Sequence, residues 1–401
     1  MSSTGMRGQT RLTKPLPKGG MPSTVTNMSY ADAAVRVPAD GYSALLLSSN
    51  TKIRKLREVA RRLMQAGHPL LDDPMLDPEF FAASLPKGWQ PGIVVVYEAR
   101  DVVGIIYMKE RAVSGIPNGV VYYNGSLGSL VLGNPLHRQK LFRAGMEALL
   151  KSPRVRAVRL RILPGSDEHQ VVQQLVDSRS IEAHYSPIQI DDYSIWKHHT
   201  LLPLADTYEQ FLEGLGSSTR HNFRRYRRRF EASGHCFVER LSMDELRSAT
   251  LDLDSKSKFI SGTEKMTIRN QRLNMVAAAH RPLVVGLKHK NGEWLSVIGG
   301  WYRPGGAVIC VQCNNESDFG PYSLSTVIRA FLIKLLIRQG LSELVFWYGT
   351  GAPLSHYAAL VPTMDVCLDV TKFPWGVAKM LASTIQPLLP KRLAEAARWF
   401  A

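Results

Sequence analysis

A segment that follows a predicted strand contains residues suited to holding phosphate groups. It runs Gln312-Cys-Asn-Asn-Glu-Ser-Asp-Phe-Gly-Pro-Tyr-Ser and leads into a predicted helix. Backbone N–H groups at a helix start attract anions, and small residues let a ligand approach them. The residues predicted to form this cradle are Asn314, Gly320, Ser323, Leu324, Ser325 and Thr326, with Arg329 one turn further along. Simple capping of the helix is the alternative, since many helices begin with similar residues.

A second segment is strongly basic. Six arginines fall between positions 220 and 229, in a predicted helix that begins at a Ser218 or Thr219 cap and ends near Gly234. At helical spacing, the narrow apolar stripe of this helix consists of Phe223, Tyr226 and Phe230. The arginines predicted to bind phosphate or an acidic partner are Arg220, Arg224, Arg225 and Arg228. The alternative is a solvated helix whose arginines form ion pairs with acidic neighbours. Nucleic acid is a further candidate ligand, although no zinc-finger, RNP or KH motif accompanies this segment.

Several familiar motifs are excluded. A strand followed by Gly349-x-Gly351 partly matches a dinucleotide loop, but Leu354 stands where the third glycine is required. No GxSxG, HExxH or P-loop pattern occurs in the sequence. Cys310 and Cys313 form a lone CxxC in a predicted strand, where side chains three apart are expected to point to opposite faces. We therefore predict no metal site.

Composition limits the class of protein. The chain has 401 residues with 45% hydrophobic and 21% charged residues, a globular balance that fits two domains. The formal net charge of +16 attracts phosphates of nucleic acid, lipid or cofactor without choosing among them. Four cysteines do not make a disulfide framework, and neither a membrane-spanning run nor a signal-peptide core is evident. We expect a cytoplasmic protein, with peripheral membrane contact left open.

The order of predicted elements repeats along the chain. Each copy reads helix, hairpin of two strands, third strand, helix and strand, and corresponding elements lie about 190 residues apart. The elements of the first copy are 52–66, 92–97, 102–108, 120–124, 136–150 and 155–162. Those of the second are 243–254, 283–288, 294–302, 307–314, 323–338 and 343–348. The pattern predicts a duplicated α/β fold with mixed sheets. We expect a disordered basic tail over 1–40, a first domain over 41–200 and a second domain over 201–401.

Together, these segments resemble the GNAT-like acyltransferases of the CelD (cellulose biosynthesis) and FemAB-like group. The family pattern Ser-x-x-x-Arg-x-x-x-Arg-Arg fits Arg220 and the pair Arg224-Arg225, with Gly216 at the serine position. The likeness continues through the hairpin at 283–302, the loop and helix at 319–331 and the strand that ends in Tyr348-Gly349. It is clearest over 205–360 and fainter over 75–165. It implies tandem GNAT-like acyl-CoA N-acyltransferase folds, with the acyl-donor site in the second.

The resemblance also implies a reaction. An acyl group would pass from a thioester such as acetyl-CoA to an amine or hydroxyl of a small-molecule, saccharide or peptide acceptor, without a metal. Glu316 or Asp318 would be the base, and Tyr348, His356 or Tyr357 the acid for the leaving thiolate. Backbone N–H groups on the strand ending near Asn314 would polarise the carbonyl.

Two departures from the family pattern bear on this reaction. Pro321-Tyr322 replaces the usual Pro-Gly and would crowd the phosphates, and the Tyr-Lys pair expected after the last strand is missing. Two alternatives therefore stay open. One is an aminoacyl-tRNA-dependent transferase of the FemAB kind, whose basic helix at 220–229 would touch RNA. The other is a non-catalytic protein that binds nucleic acid or anionic surfaces.

Overall fold

A computed structural model gives the structure of the protein. It describes residues 41–47, 50–65, 69–86, 88–111, 119–179, 183–187, 199–256, 263–315, 322–347, 349–351 and 354–369. These residues belong to one compact unit. The helices, numbered in chain order, are α1 (Asn50–Met64), α2 (Pro78–Ser84), α3 (Arg138–Lys151), α4 (Asp167–Arg179), α5 (Tyr208–Glu213), α6 (Ser217–Ala232), α7 (Met243–Lys256), α8 (Thr263–Ala278) and α9 (Leu324–Arg338).

The strands alternate with these helices along both halves of the chain. In the first half they are β1 (Tyr42–Leu47), β2 (Gln90–Pro91), β3 (Ile93–Glu98), β4 (Asp101–Ile106), β5 (Lys109–Arg111), β6 (Gly119–Asn124), β7 (Val131–Gly133), β8 (Val155–Ile162) and β9 (Ala183–Pro187). In the second half they are β10 (Thr200–Pro203), β11 (Cys236–Val238), β12 (Pro282–Lys288), β13 (Trp294–Arg303), β14 (Gly306–Asn314), β15 (Glu343–Phe346), β16 (Ala359–Leu360) and β17 (Met364–Asp369).

The described strands form three sheets. The first half has two of them, in the orders β1-β3-β4-β7 and β2-β5-β6-β8-β17-β9. The second half has one sheet, in the order β11-β12-β13-β14-β15-β10-β16. Antiparallel pairs dominate, while β6 pairs parallel with β8 and β14 pairs parallel with β15. The predicted mixed α/β class is therefore confirmed.

The duplicated order of elements is visible in the two parallel pairs. In the first half a hairpin and a third strand lead through α3 to a parallel strand, and in the second half the same order leads through α9. The β12–β13 hairpin turns at Lys290-Asn291-Gly292 as predicted, with Gly292 at a φ of +96°, which glycine adopts without strain. The repeat found in the sequence is thus a repeat of structure.

The second half of the chain contributes one strand to a sheet of the first half. β10, the first strand of the second half, lies between β15 and β16 of the second-half sheet. β17, the last strand, instead lies between β8 and β9 of a first-half sheet, antiparallel to both. The division into domains 41–200 and 201–401 stays a prediction, and β17 crosses it, because this strand of the second half lies in a sheet of the first. The predicted tail at 1–40 and the segment from residue 370 onward lie outside the described residues.

Two apolar clusters cover the faces of the second-half sheet. Alternate residues of β12 separate, because successive side chains of a strand point to opposite faces. Leu283 and Val285 join the cluster under α9, and Val284 joins the cluster under α7 and α8. The second cluster also contains Phe80 and Leu127 of the first half, so the halves share a core. Within the described residues, no helix has the length and apolar character needed to cross a membrane.

Candidate functional site in the second half

In the sheet of the second half, β14 extends beyond its parallel neighbour β15. β15 pairs along its whole length with Gly306–Ile309 of β14, and one further bond joins Trp347 N–H to the Ile309 carbonyl at 2.9 Å. Beyond this point β14 continues to Asn314 without pairing to β15. The gap between residues 310–314 of β14 and the end of β15 is called here the β14–β15 opening.

A β-bulge marks the start of the β14–β15 opening. Gly299 pairs with Val311 while Gly300 pairs with Ile309, so Cys310 is an extra residue in β14. Gly300 has to be glycine, because a Cβ there would lie 1.8 Å from the Val308 carbonyl oxygen. The bulge bends the strand and frees its backbone from the regular ladder.

The bulge also changes where the cysteines point. The expectation that Cys310 and Cys313 face opposite sides is wrong, since both lie in the cluster under α7 and α8. The inserted residue shifts the alternation by one position, which brings the two side chains to the same face. Burial raises the pKa of each thiol to about 12, so both stay protonated at neutral pH. Within the described part of the chain, no group of three or more potential metal ligands occurs.

A chain of polar side chains crosses the other face of the opening. The Ser296 hydroxyl donates to Asn314 Oδ1 at 2.6 Å, and Gln312 Nε2 donates to the same oxygen at 3.4 Å. Arg329 Nε of α9 donates to Gln312 Oε1 at 3.1 Å. The Arg329 guanidinium also lies 5.4 Å from the ring centre of Phe346, the last residue of β15. The sequence-predicted residues Asn314 and Arg329 are therefore brought together through Gln312, and Arg329 contacts both β14 and the end of β15.

Arg329 is a cation without an acidic partner in the part of the chain that the structure describes. Its recorded contacts are the Gln312 amide and the Phe346 ring. Burial lowers the pKa of Arg329 to about 10, because removing water disfavours the charged form. A partly buried cation at a gap is stabilised by an anion that enters the gap.

The start of α9 lies beside the same gap. Ser323 precedes the helix in the left-handed conformation, with a φ of +45°, which is uncommon for a residue other than glycine. Its hydroxyl bonds to the Thr326 hydroxyl at 2.8 Å and does not cap the helix amides. The first turn carries no acidic residue, so its N–H groups favour an anion. Leu324 packs in the core, while Ser325 is half-buried.

The predicted acid and base residues lie only partly in the described portion of the chain. Glu316, Asp318, Gly320 and Tyr348 lie outside the described residues. His356 is exposed at the end of a 3₁₀ helix, Leu354–His356. The neighbouring Tyr357 hydroxyl accepts a 2.6 Å hydrogen bond from Gly216 N–H, just before α6. A Cβ on Gly216 would lie 2.8 Å from that hydroxyl, so the serine of the family pattern would require the Tyr357 side chain to shift.

Comparisons of the sequence and of the structure with known proteins give different results. No family model matches the sequence, and a search of curated proteins finds no significant match. Among solved structures, FemX aligns with a TM-score of 0.55 and 11% identity over 77% of this chain and 95% of its own. L-PGS from Bacillus licheniformis aligns with a TM-score of 0.46 and 12% identity, over 80% of this chain and 94% of its own. A tandem GNAT protein from the clavulanic acid biosynthesis pathway aligns with a TM-score of 0.42 and 12% identity, over 83% of this chain and 99% of its own.

At 11% identity, the similarity to FemX shows the fold and not the activity. The chain has a tandem GNAT-like fold. The part of the resemblance that concerns fold is thereby confirmed, while the CelD-like assignment stays a prediction.

The basic helix α6 flanks α9 in this GNAT-like half. Phe223 and Phe230 are fully buried against it, as the apolar stripe predicted. The predicted cap is wrong, because α6 begins at Ser217 after Gly216 and has no side-chain cap. Arg224 pairs with Glu209 at 2.8 Å, and the Arg225 guanidinium lies 4.7 Å from the Tyr226 ring centre. Among the described residues, neither Arg220 nor Arg228 has an acidic partner.

Sequence reasoning missed a second group of arginines at the opening. Arg269 and Arg272, three apart on α8, donate to the carbonyl oxygens of Gln312 and Cys310 at 3.2 and 3.3 Å. They hold the segment of β14 that no longer pairs with β15. Asp254 of α7, buried, lies 3.5 Å from Arg269. The only sequence signal was the spacing of two arginines on one helix face, which is common on solvated helices.

Proposed function

We propose that this GNAT-like chain is an acyltransferase whose donor site is the β14–β15 opening. It would move an acyl group from acyl-CoA to an amine or hydroxyl of a small-molecule, saccharide or peptide acceptor. The observation that carries the proposal is that β15 ends while β14 continues, beside the uncapped start of α9. A gap between strands admits an extended thioester arm, and free helix amides attract its phosphates.

Donor binding would use groups at two depths. The N–H groups of Leu324 and Ser325 at the start of α9 would face the phosphates, whereas Thr326 N–H already donates to the Ser323 carbonyl at 2.8 Å. Arg329 lies five residues after the start of α9, so it is about 7 Å deeper along the helix axis. At that depth its charge would meet the polar part of the arm or the acyl group itself. This arrangement makes Arg329 a specificity residue of the proposed site.

The transfer needs one bond to form and one to break. The acceptor nitrogen or oxygen attacks the thioester carbonyl carbon, and the carbon–sulfur bond breaks to release a thiolate. Backbone N–H groups of β14 beyond the bulge would stabilise the developing oxyanion. Glu316 or Asp318 would take the acceptor proton, and Tyr348, His356 or Tyr357 would protonate the thiolate. These assignments rest on the family resemblance.

Calorimetric titration with CoA and acetyl-CoA tests the proposal. We expect saturable binding at one site per chain, at moderate salt. Ser325→Tyr should weaken it at least about tenfold, because the bulky side chain would cover the first α9 turn. Ser248→Tyr is the matched control, since Ser248 is exposed on α7 at the opposite face of the sheet. Absence of binding to both nucleotides, or equal effects of the two variants, would contradict the proposal.

A second candidate is an aminoacyl-tRNA-dependent transferase. The observation that favours it is the exposed arginine face of α6 beside α9, where Arg228 has no acidic partner within the described residues. Arg228→Glu should then weaken binding of aminoacyl-tRNA and reduce the dependence of affinity on salt. Arg247→Glu, on exposed α7, is the matched control. Transfer of the aminoacyl group would support this donor, whereas equal binding of any RNA without transfer would indicate a non-catalytic binding protein.

A further inference from the structure

A separate cavity lies in the first half of the molecule. It has a volume of about 370 Å³ and sits where β6 and β8 end and where α3 and α4 begin. Its walls include Tyr123, Ser129, Arg138, Asp167 and Glu168. The volume is at the small end of the range for ligand pockets, which suits a ligand of amino-acid size.

One wall of the cavity is acidic. Glu168 is only 4% exposed and accepts a 3.0 Å hydrogen bond from the Tyr123 hydroxyl. The same hydroxyl accepts from Leu130 N–H at 2.8 Å, which fixes its orientation. Burial, assisted by the nearby Glu168 charge, raises the pKa of Tyr123 well above its usual value, so the hydroxyl stays a donor. Tyr123 thus engages one Glu168 oxygen and leaves the other for a ligand, next to Asp167.

The cavity is also lined by a positive charge, which does not form an ion pair with the acidic residues. Arg138, the first residue of α3, has a buried Nε atom without a hydrogen-bond partner. Within the described residues its guanidinium forms no ion pair, either with Glu168 or with Asp167. The buried Glu168 carboxylate and the buried Nε atom of Arg138 cost stability while each lacks a partner of opposite charge, and a ligand that pairs with both removes this cost.

We propose that this cavity binds a small zwitterion, with its ammonium group against Glu168 and Asp167 and its carboxylate against Arg138. A phosphate-bearing ligand fits less well, because two carboxylates in the first turn of α4 repel a dianion. A simple cation would leave Arg138 unpaired, and a simple anion would leave both acids unpaired. Only a ligand that carries both charges satisfies both walls.

The zwitterion site is distinct from the proposed donor site. The cavity wall at Gly128 faces the Arg303 guanidinium, since a Cβ on Gly128 would be 3.9 Å from Arg303 Nη2. Arg303 pairs with Gly306 at the beginning of β14, whereas the β14–β15 opening lies toward Asn314 at its end. Nine residues of strand separate the two ends by about 25 Å. The inference therefore does not depend on the proposed transferase activity.

Four probes with the same six-carbon skeleton test the proposal by calorimetry on the full chain. They are L-norleucine, 6-aminohexanoate, hexylamine and hexanoate. We expect one of the two zwitterions to bind at least about tenfold more tightly than either single-charge probe, because each charged contact contributes a factor of ten or more. The preferred zwitterion reports the spacing of the two charges. Equal binding of all four probes, or binding of none, would overturn the proposal.

Two substitutions assign the charges. Arg138→Gln should weaken the zwitterion about tenfold or more while leaving hexylamine unaffected. Glu168→Gln should weaken both the zwitterion and hexylamine, and its amide oxygen still accepts from Tyr123, which protects the fold. Lys140→Gln removes an exposed charge from the same helix α3 and is the control. If Arg138→Gln and Lys140→Gln have the same effect on zwitterion affinity, the assignment of Arg138 is wrong.

Discussion

Single residues in this protein carry charges that the fold does not neutralise. Arg329 is the clearest case, because its recorded contacts are an amide and an aromatic ring. A buried cation held for a ligand should cost stability in the free protein. Arg329→Met is therefore expected to raise the free energy of unfolding by about 1 kcal/mol in urea titrations and to weaken acetyl-CoA binding at least about tenfold.

The control for this trade-off lies on the same helix. Lys334→Met replaces an exposed charge of α9 and should leave both the urea midpoint and acetyl-CoA affinity near their wild-type values. Loss of stability in Arg329→Met would show that the guanidinium supports the fold, in conflict with its assignment as a ligand-binding group.

Lys109 is a second unusual cation, in the first half. Its ammonium group lies 4.6 Å from the ring centres of both Trp89 and Tyr122. Burial, with a smaller effect from Arg161, lowers its pKa from 10.5 to about 8. Between these two values the unfolded chain binds more protons than the folded chain, so this residue makes stability rise with pH.

Urea unfolding at several pH values from 7.5 to about 10 tests this effect. Lys109→Met should flatten the rise of unfolding free energy, by no more than about 3 kcal/mol across the window. Lys151→Met, at the exposed end of α3, should keep the wild-type slope. Identical slopes in all three proteins would show that Lys109 titrates at its ordinary pKa.

At the scale of elements, the bulge in β14 is the feature on which the β14–β15 opening depends. A Cβ at Gly300 would overlap the Val308 carbonyl oxygen, so Gly300→Ala must push β13 and β14 apart. We expect a loss of at least about 3 kcal/mol in unfolding free energy. Gly292→Ala is the comparison, because its site has space but a φ of +96°, and it should cost only about 1 kcal/mol. Similar losses in thermal or urea unfolding would indicate that the strands can relax around position 300.

The elements that the sequence predicted are those whose signals are local. The β12–β13 hairpin is confirmed because Asn291-Gly292 lies between two apolar runs. Helix α9 is confirmed within one residue at its start, since most of its surface is buried and apolar. Strands β10 and β17 were missed, because their partners lie more than a hundred residues away in sequence and only the pairing reveals them.

The same distinction applies to the site. Asn314 and Arg329 were predicted from one continuous strand-loop-helix segment, and the structure does bring them together through Gln312. Arg269 and Arg272 reach β14 from α8, about forty residues earlier in the chain, and no local pattern marks that contact. The predicted orientation of Cys313 relative to Cys310 was wrong for a related reason, because the pairing of β14 with β13 determines where the bulge lies.

At the scale of the whole molecule, the insertion of β17 into a sheet of the first half ties the two halves into one cooperative unit. The halves also share a core, in which the Phe80 ring of α2 packs edge-on against Trp301 of β13 with ring centres 4.8 Å apart. Because the loss of one sheet would expose core residues of the other, the two halves should unfold in a single transition. This behaviour differs from that of two domains joined by a linker.

Leu368→Ala tests the coupling, because Leu368 of β17 is fully buried in the sheet of the first half. The cavity should cost about 2 to 5 kcal/mol. Hydrogen exchange followed by mass spectrometry should show the same loss of protection in β6 of the first half and in β13 of the second, since both report one global opening. A loss confined to the first half would mean that β17 belongs to a separate folding unit, and that one inserted strand does not join the two GNAT-like halves into one cooperative structure.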